Sequence, residues 1–482
     1  MSDPFVVVGA DAAGLSAASK FRREAPDGEV VVFEKGRWIS YAYCGMPYFI
    51  AGYVDRMSNL LSLSPSDVDE RGIDLRRGSE VVAVDPDAKR VTVETTDGDR
   101  FEQAYDDLLV ATGARATTGF FDVRGVDGAF TLHNMDAAAA IDAYVAEPDA
   151  YDPERADVSA VDRERVDRNA AMPAPETAAV VGGGYVGVEV AEALSERGLS
   201  VHVFHRSGHL LSPFGEAVGN RVEEALEAEG VTVHTDAPVE ALVGDDRIEA
   251  VEIGGDADGA TTDRVPVDMA VVGVGIRPNT DLLEGTGVDF GAGGAIRVDD
   301  HGRTSLPDVY AAGDCATARH AVTGEPDWVP LGLTANRAGR AIGATVAGDP
   351  TLVGDIAGTA AVKAFDTEAA RVGILDPEEA EAAGFDPVSE TVTAGSRSGY
   401  YPGAAETDVT LVADGDTGRL LGGSIVGTDR AAIRIDTLGT AIEADMTVAE
   451  VERLDLAYAP PFSPVWDPIL VAAKVLNGKI DG

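Results

Sequence analysis

Short apolar runs alternate with glycine turns and helical stretches twice along the chain, and a different pattern follows. The first run, Phe5-Val6-Val7-Val8, leads into Gly9-Ala10-Asp11-Ala12-Ala13-Gly14 and then an alanine-rich helix to about Glu24. A second run from Glu29 to Phe33 ends at Glu34. Continuous apolar runs this short, bounded by turns, predict strands buried on both faces of a parallel sheet. The spacing is that of a dinucleotide fingerprint: a tight turn, a helix N-terminus for a pyrophosphate, and an acid for ribose hydroxyls. Asp11 stands where that fingerprint carries its middle glycine.

A second copy is cleaner. Ala178-Ala179-Val180-Val181 leads into Gly182-Gly183-Gly184-Tyr185-Val186-Gly187, a helix through Glu189 and Glu192, and the strand Ser200 to Phe204. Two such units imply two dinucleotides, commonly FAD and a nicotinamide. The usual acid after the second fingerprint is replaced by His205-Arg206, with Ser207 and His209 close by. An acid would repel a 2′-phosphate, whereas arginine and histidine would attract it, so NADPH is expected over NADH.

Tyr105 to Ala114 predicts a strand closing on a turn at Thr112-Gly113, and Thr304 to Asp314 another with an acid at its carboxyl end. Asp314 would there meet a sugar or ribitol hydroxyl. Between Glu147 and Glu176, Asp, Arg, Pro and Ala crowd together with little apolar periodicity, which predicts a surface insertion. Beyond about residue 349 no phosphate loop recurs. Strand-like runs at 359–365, 408–413 and 420–427, then helical stretches at 430–443 and 465–477, predict a separate α+β domain. The fold class is thus α/β, with two Rossmann-like dinucleotide-binding domains. By the family resemblance carried by the motifs below, residues 1–115 and 279–348 would hold FAD, 116–278 the nicotinamide, and 349–482 would form the additional domain.

Charge changes the picture. The 482 residues carry a formal net charge of −45, spread along the chain, and only six lysines. Such self-repulsion strains a compact fold at low salt and becomes tolerable when the Debye length falls to roughly 3 Å near 1 M salt. A molar-salt cytoplasm, as in halophilic archaea, is expected, and nucleic acid is an unsuitable partner. No apolar run reaches membrane-spanning length, Met1-Ser2-Asp3-Pro4 leaves no room for a signal peptide, and no metal site is expected.

Cys44 and Cys315 are the two cysteines, too few for a disulfide framework. Cys315 directly follows Asp314 with no basic or helix-start surroundings, and reads as structural. Cys44 lies in Ser40-Tyr41-Ala42-Tyr43-Cys44-Gly45-Met46-Pro47-Tyr48. Pro47 suits the first turn of a helix, which puts Cys44 beside a helix N-terminus where an anion is favoured. A lowered thiol pKa and a reactive thiolate follow.

These motifs, together with Ala111-Thr112-Gly113, Ala311-Ala312-Gly313-Asp314 and the late segment Tyr458-Ala459-Pro460-Pro461-Phe462-Ser463-Pro464-Val465-Trp466-Asp467-Pro468, carry a resemblance. The chain resembles the single-cysteine branch of the flavoprotein disulfide reductases, which contains coenzyme A-disulfide reductases, NADH oxidases and NADH peroxidases. Only the 147–176 insertion lies outside the likeness. Two-cysteine reductases carry a partner cysteine five residues on, where this chain has Phe49, so Cys44 would pair with a substrate sulfur or cycle through a sulfenic acid. Relatives that reduce oxygen or peroxide place a histidine in the first glycine loop, where this chain has Ala12.

The resemblance therefore implies reduction of coenzyme A disulfide by NADPH (or NADH) through FAD and a Cys44–coenzyme A mixed disulfide. An NAD(P)H oxidase or peroxidase using a Cys44 sulfenic acid is the alternative, and a flavin-holding interaction protein is the reading of another class. Coenzyme A persulfides and mixed disulfides are not separated from the disulfide at this level. By the same likeness FAD would meet Gly9, Ala10, Gly14, Glu34, Lys35, Val82, Ala111, Thr112, Gly113 and Asp314. The nicotinamide would meet Gly182, Gly184, Tyr185, Gly187, Glu189, His205, Arg206 and Gly275. Coenzyme A would meet Ser16, Lys20, Arg23, Ser40, Tyr43, Arg76, Asn336 and Trp466. Residues 349–482 would dimerise the chain, bringing Tyr458, and either Tyr400 or Tyr401, to the partner's Cys44 as phenol donors.

Overall fold

The computed structural model describes residues 3–480 apart from 120, 122, 124, 148–149 and 255–262. Strand β1 (Phe5–Val8), helix α1 (Ala12–Glu24) and strand β2 (Val30–Glu34) form where the sequence places them. Helix α2 (Met46–Ala51) and strands β3 (Asp74–Arg77) and β4 (Asp107–Val110) follow. β1 is buried along its whole length and pairs in parallel on both sides, Val6 lying opposite Val31 and Leu108. The tight crossing of turn and helix requires glycine: a Cβ at Gly14 would lie 1.9 Å from the Gly9 carbonyl oxygen.

The second unit holds β5 (Ala129–Phe130), α3 (Met135–Tyr144), α4 (Arg163–Ala170), β6 (Thr177–Val181), α5 (Tyr185–Glu196), β7 (Ser200–Phe204), β8 (Thr232–His234) and β9 (Met269–Val272). Its parallel sheet runs β8-β7-β6-β9-β5. The chain then returns to the first sheet with β10 (Val309–Ala311), completing the order β10-β4-β1-β2-β3, and α6 (Gly332–Val346) packs on α1.

The remaining residues form an antiparallel sheet, β11 (Ala360–Ala364), β12 (Thr367–Gly373), β13 (Pro387–Gly395), β14 (Glu406–Asp414) and β15 (Leu420–Gly427), in the order β11-β12-β15-β14-β13. Helices α7 (Ile435–Glu443) and α8 (Pro468–Ile480) share a core with it through Leu438, Ile442, Ile469 and Leu476. β12 and β13 have no counterpart among the runs seen in the sequence. β13 alternates exposed and half-buried positions, with polar residues such as Ser389, Glu390 and Thr391 that blunt its apolar signal.

The 147–176 stretch departs from expectation. It is not a surface loop throughout: Ala156, Ala160, Val161 and Val166 are buried in the core shared by α2, α3 and α5, and α4 is capped by Asp162. The apolar residues are small and irregularly spaced, so no periodicity announces them. Among the described residues no helix is long and apolar enough to cross a membrane.

Candidate functional site

Cys44 sits on a single 3-10 turn, Tyr43–Gly45, directly before α2, and Pro47 occupies the first turn of α2 as its missing N–H permits. The turn is hung between two segments. Ser40, in the left-handed region at φ 46°, donates its amide to Ala10 O (3.1 Å), and Ala42 donates to Leu60 O (2.8 Å). The Cys44-bearing turn is thereby tied to the first glycine loop.

The thiol is exposed, yet its pKa is raised: desolvation comes first, then the carboxylates of Glu189 and Asp314. This corrects the expectation of a lowered value. The sequence shows the helix start but not the two acids that folding brings in from distant segments. Burial pushes Glu189 on α5 up to about 7, with Glu192 adding to the shift and the Tyr48 hydrogen bond opposing it. Tyr48 O–H donates to Glu189 Oε1 at 3.4 Å.

The first nucleotide cradle is ordered by its own acid. Glu34 accepts from the amides of Ala10 (3.0 Å) and Gly36 (2.7 Å), which fixes its carboxylate and leaves lone pairs for ribose hydroxyls. Lys35 beside it is exposed, and Val82 lies at a bulge in strand Ser79–Asp85. Thr112 Oγ donates to Asn279 O (2.6 Å), and Asn279 Nδ2 returns a bond to Thr112 O (2.9 Å), pinning the Ala111-Thr112-Gly113 turn. Burial raises the Asp314 carboxyl, with His133 opposing, and Trp328 Nε1 donates to Asp314 O at 2.9 Å. Cys315 is fully buried with its thiol directed at Val110 O and Ala312 O, a structural role. Asp11 is unusual: burial and Glu34 push it up to about 7 against a hydrogen bond from Tyr43, and its Oδ2 is buried without a partner. The close glycine turn, oriented Glu34 and half-buried Asp314 fit a flavin adenine dinucleotide.

In the second cradle Gly184 caps α5 and the Tyr185 ring meets Phe214 edge-on at 5.2 Å. Gly187 crosses the Gly182 carbonyl as Gly14 does Gly9, and Gly275 has φ 122°. The structure gives His205 a role the sequence did not suggest. Its Nδ1 accepts from the Gly183 amide (3.1 Å) and its Nε2 pairs with Ser212 Oγ (3.2 Å). Burial, then His209 and Arg206, push it down, so at neutral pH it props the glycine loop as an uncharged ring. Arg206 is exposed and pairs with no carboxylate among the described residues, and it is the fixed positive charge of this turn.

Of the remaining sequence-derived residues, Ser16 Oγ donates to Asn336 Oδ1 at 2.7 Å, joining α1 to α6. Lys20 pairs with Glu24, Arg76 pairs with Asp74 (2.6 Å) over the Phe33 ring, and Arg23 is exposed. Tyr43 stacks on Tyr41 at 4.4 Å and leans on His133 at 5.7 Å. On the C-terminal unit a hydrogen bond with Tyr400 raises the Tyr458 phenol, whereas Tyr401 lies under Arg397 at 5.9 Å. Tyr400 is therefore the residue that accompanies Tyr458, and Trp466, in the same segment as Tyr458, lies under Lys474. Within the described residues of one chain, no hydrogen bond or ring contact joins these aromatics to the Cys44 turn. Neither Tyr48 nor His133 is marked out by the sequence as a site residue. The one signal is the spacing of Tyr48, a helical turn beyond Cys44.

Comparison with known proteins is consistent along the chain. The family model described as pyridine nucleotide-disulphide oxidoreductase matches residues 3–338, and its dimerisation domain matches 359–468. The chain is similar to the NAD(P)H coenzyme A polysulfide/persulfide reductase of Pyrococcus horikoshii, at 34% identity with 99% of both chains covered. It is also similar to an NADH oxidase of Methanocaldococcus jannaschii (32%, 97% of both) and a coenzyme A disulfide reductase of Staphylococcus haemolyticus (30%, covering 95% of this chain and 96% of the relative). The solved structure of an NAD-dependent persulfide reductase from A. fulgidus superposes with a TM-score of 0.88 at 32% identity, over 99% of this chain and 84% of that one.

Proposed function

Because the chain belongs to the pyridine nucleotide-disulphide oxidoreductase family, whose members use FAD and NAD(P)H, we propose that it reduces coenzyme A disulfide with NADPH as a homodimer. The observation that carries this reading is a single accessible thiol, Cys44, set between the two nucleotide cradles with Phe49 where a second sulfur would stand. The names of the Staphylococcus and Pyrococcus relatives support coenzyme A-linked sulfur as the substrate class. Arg206, with no acid at the end of β7, supports NADPH.

FAD, when bound, supplies the passage of an electron pair from the nicotinamide to sulfur. The chain's own groups do the rest. The Cys44 thiolate attacks one sulfur of the disulfide, forming a mixed disulfide and releasing one coenzyme A thiolate. That thiolate takes a proton from the Tyr400–Tyr458 pair of the second protomer. Two electrons and a proton then cleave the mixed disulfide, releasing the second coenzyme A thiol and restoring the Cys44 thiolate. Glu189, protonated up to about pH 7, holds a proton within electrostatic reach of that sulfur. Ser16, Asn336, Arg23 and Arg76 are the groups proposed to meet coenzyme A, its phosphates falling to the arginines.

The test uses purified protein in molar KCl with NADPH and NADH, each against coenzyme A disulfide, glutathione disulfide, peroxide and oxygen. Thiol release with coenzyme A disulfide alone is expected, and Cys44→Ser lowers it by about a hundredfold or more. Rapid oxygen use without thiol release establishes the oxidase alternative instead.

A further inference from the structure

Helix α2 is six residues long, and a helix leaves its last four carbonyls unpaired. So short a helix does not hold its own position. Its carboxyl end is gripped from outside. Arg155 donates from Nη2 to Phe49 O (2.6 Å) and from Nη1 to Asp55 O (3.3 Å), with its guanidinium 4.8 Å above the Phe49 ring. Arg197, just past α5, donates to Ile50 O at 2.9 Å. Both cations converge on Asp142 of α3, which is 1% exposed: Arg155 binds it through two bonds of 3.0 Å, and Arg197 at 2.8 Å.

The same short stretch also grips the loop on the other side of Cys44. Arg155 O accepts from the Met57 amide (2.8 Å), and Asp157 accepts from the Ser58 amide (2.9 Å) and hydroxyl (2.7 Å). That loop ends at Leu60, whose carbonyl takes the Ala42 amide (2.8 Å) and whose side chain closes over Gly45, where a Cβ would come within 2.3 Å of it. Helix α2 and the 55–60 loop, which flank the Cys44 turn, therefore both lead back to residues 155–157, inside the stretch that the sequence presents as a polar insertion.

We propose that Arg155 is a positioning residue for Cys44, and that the 152–158 segment braces α2 and the 55–60 loop so the sulfur stays fixed between the two nucleotide cradles. Cations at a helix carboxyl end complement its dipole and its open carbonyls. A bidentate guanidinium adds direction that an ammonium lacks. Removing Arg155 leaves Asp142 paired with Arg197, so the fold loses a tether without gaining an unpaired buried carboxylate.

The inference rests on the proposed function only in taking Cys44 as the redox sulfur, and its test reads sulfur position instead of substrate choice. Arg155→Met and Arg155→Lys are prepared as flavin-loaded enzyme and compared with wild type. The readouts are flavin content, hydrogen exchange of the 44–58 amides, the long-wavelength thiolate–flavin absorbance after reduction, and kcat beside KM for NADPH. Arg155→Met is expected to keep its flavin and its KM, to exchange faster across 46–58, to lose most of the absorbance, and to lose about tenfold to a hundredfold in kcat. Arg155→Lys recovers part of each. Wild-type exchange, absorbance and kcat in Arg155→Met overturn the proposal. If that variant fails to take up flavin, Arg155→Lys decides: diminished absorbance supports the brace, and wild-type values sink it. A coenzyme A-independent activity in the wild type would refute the functional reading alone, because exchange and absorbance still report on the brace.

Discussion

At Cys44 the decisive neighbours are acids. Tyr48 and Glu189 are 141 residues apart in sequence and meet at 3.4 Å, which brings a second carboxyl group near the thiol beside Asp314. Glu189 keeps its proton up to about pH 7, and above that its carboxylate holds the thiol up. In Glu189→Gln this charge is gone, so the thiol pKa falls and the thiolate fraction at pH 8 rises. Iodoacetamide alkylation of Cys44 should then run several-fold faster than in wild type at pH 8 and converge with it below pH 6. Equal rates at both pH values would show that Glu189 does not act on this sulfur. The residue types at Cys44, Glu34, Asp314 and the glycine turns were legible because each motif is local. The direction of the Cys44 shift and the loop-propping role of His205 were not, because both come from groups outside the motif.

Between elements, α1 and α6, which come from opposite ends of the first unit, approach each other closely. A Cβ at Gly339 would lie 2.2 Å from Ala13 O, and one at Gly343 would lie 2.3 Å from Ala17 O, so α6 lies flush on α1 just behind the glycine loop. Gly339→Ala is expected to push α1 away, costing about 1–3 kcal/mol and weakening flavin retention. A lowered melting temperature with reduced flavin content after desalting would bear this out, and an unchanged flavin content would contradict it. Strand β1, helix α1 and their repeats in the second unit were readable from periodicity and glycine spacing. The 147–176 stretch was not: Ala156, Ala160 and Val161 are too small and too irregularly spaced to register, and Arg155 reads as surface charge until Asp142 is seen beneath it.

For the molecule as a whole, charge and an exposed apolar face set the behaviour. A net charge of −45 predicts that salt stabilises the protein. Raising KCl from about 0.1 M to about 2 M shortens the Debye length severalfold and should raise the melting temperature by on the order of 10 °C. No change, or a fall, would show that the fold tolerates its charge without screening. On the C-terminal unit Ile433, Tyr458, Phe462, Val465 and Trp466 are each about half exposed or more, with Arg430 over the Phe462 ring. This unit matches a dimerisation domain.

What the sequence determined alone is local. Apolar runs, glycine spacing, Glu34 and the Cys44 segment specify two parallel-sheet nucleotide units and a solitary thiol, since strand burial, turn geometry and ribose recognition each depend on a few neighbouring residues. Tertiary structure decided what surrounds that thiol. Carboxylates from α5 and the end of β10, and an arginine pair on one buried aspartate, reach Cys44 and α2 only after segments distant in sequence pack together, and desolvation and Coulomb interactions act through space.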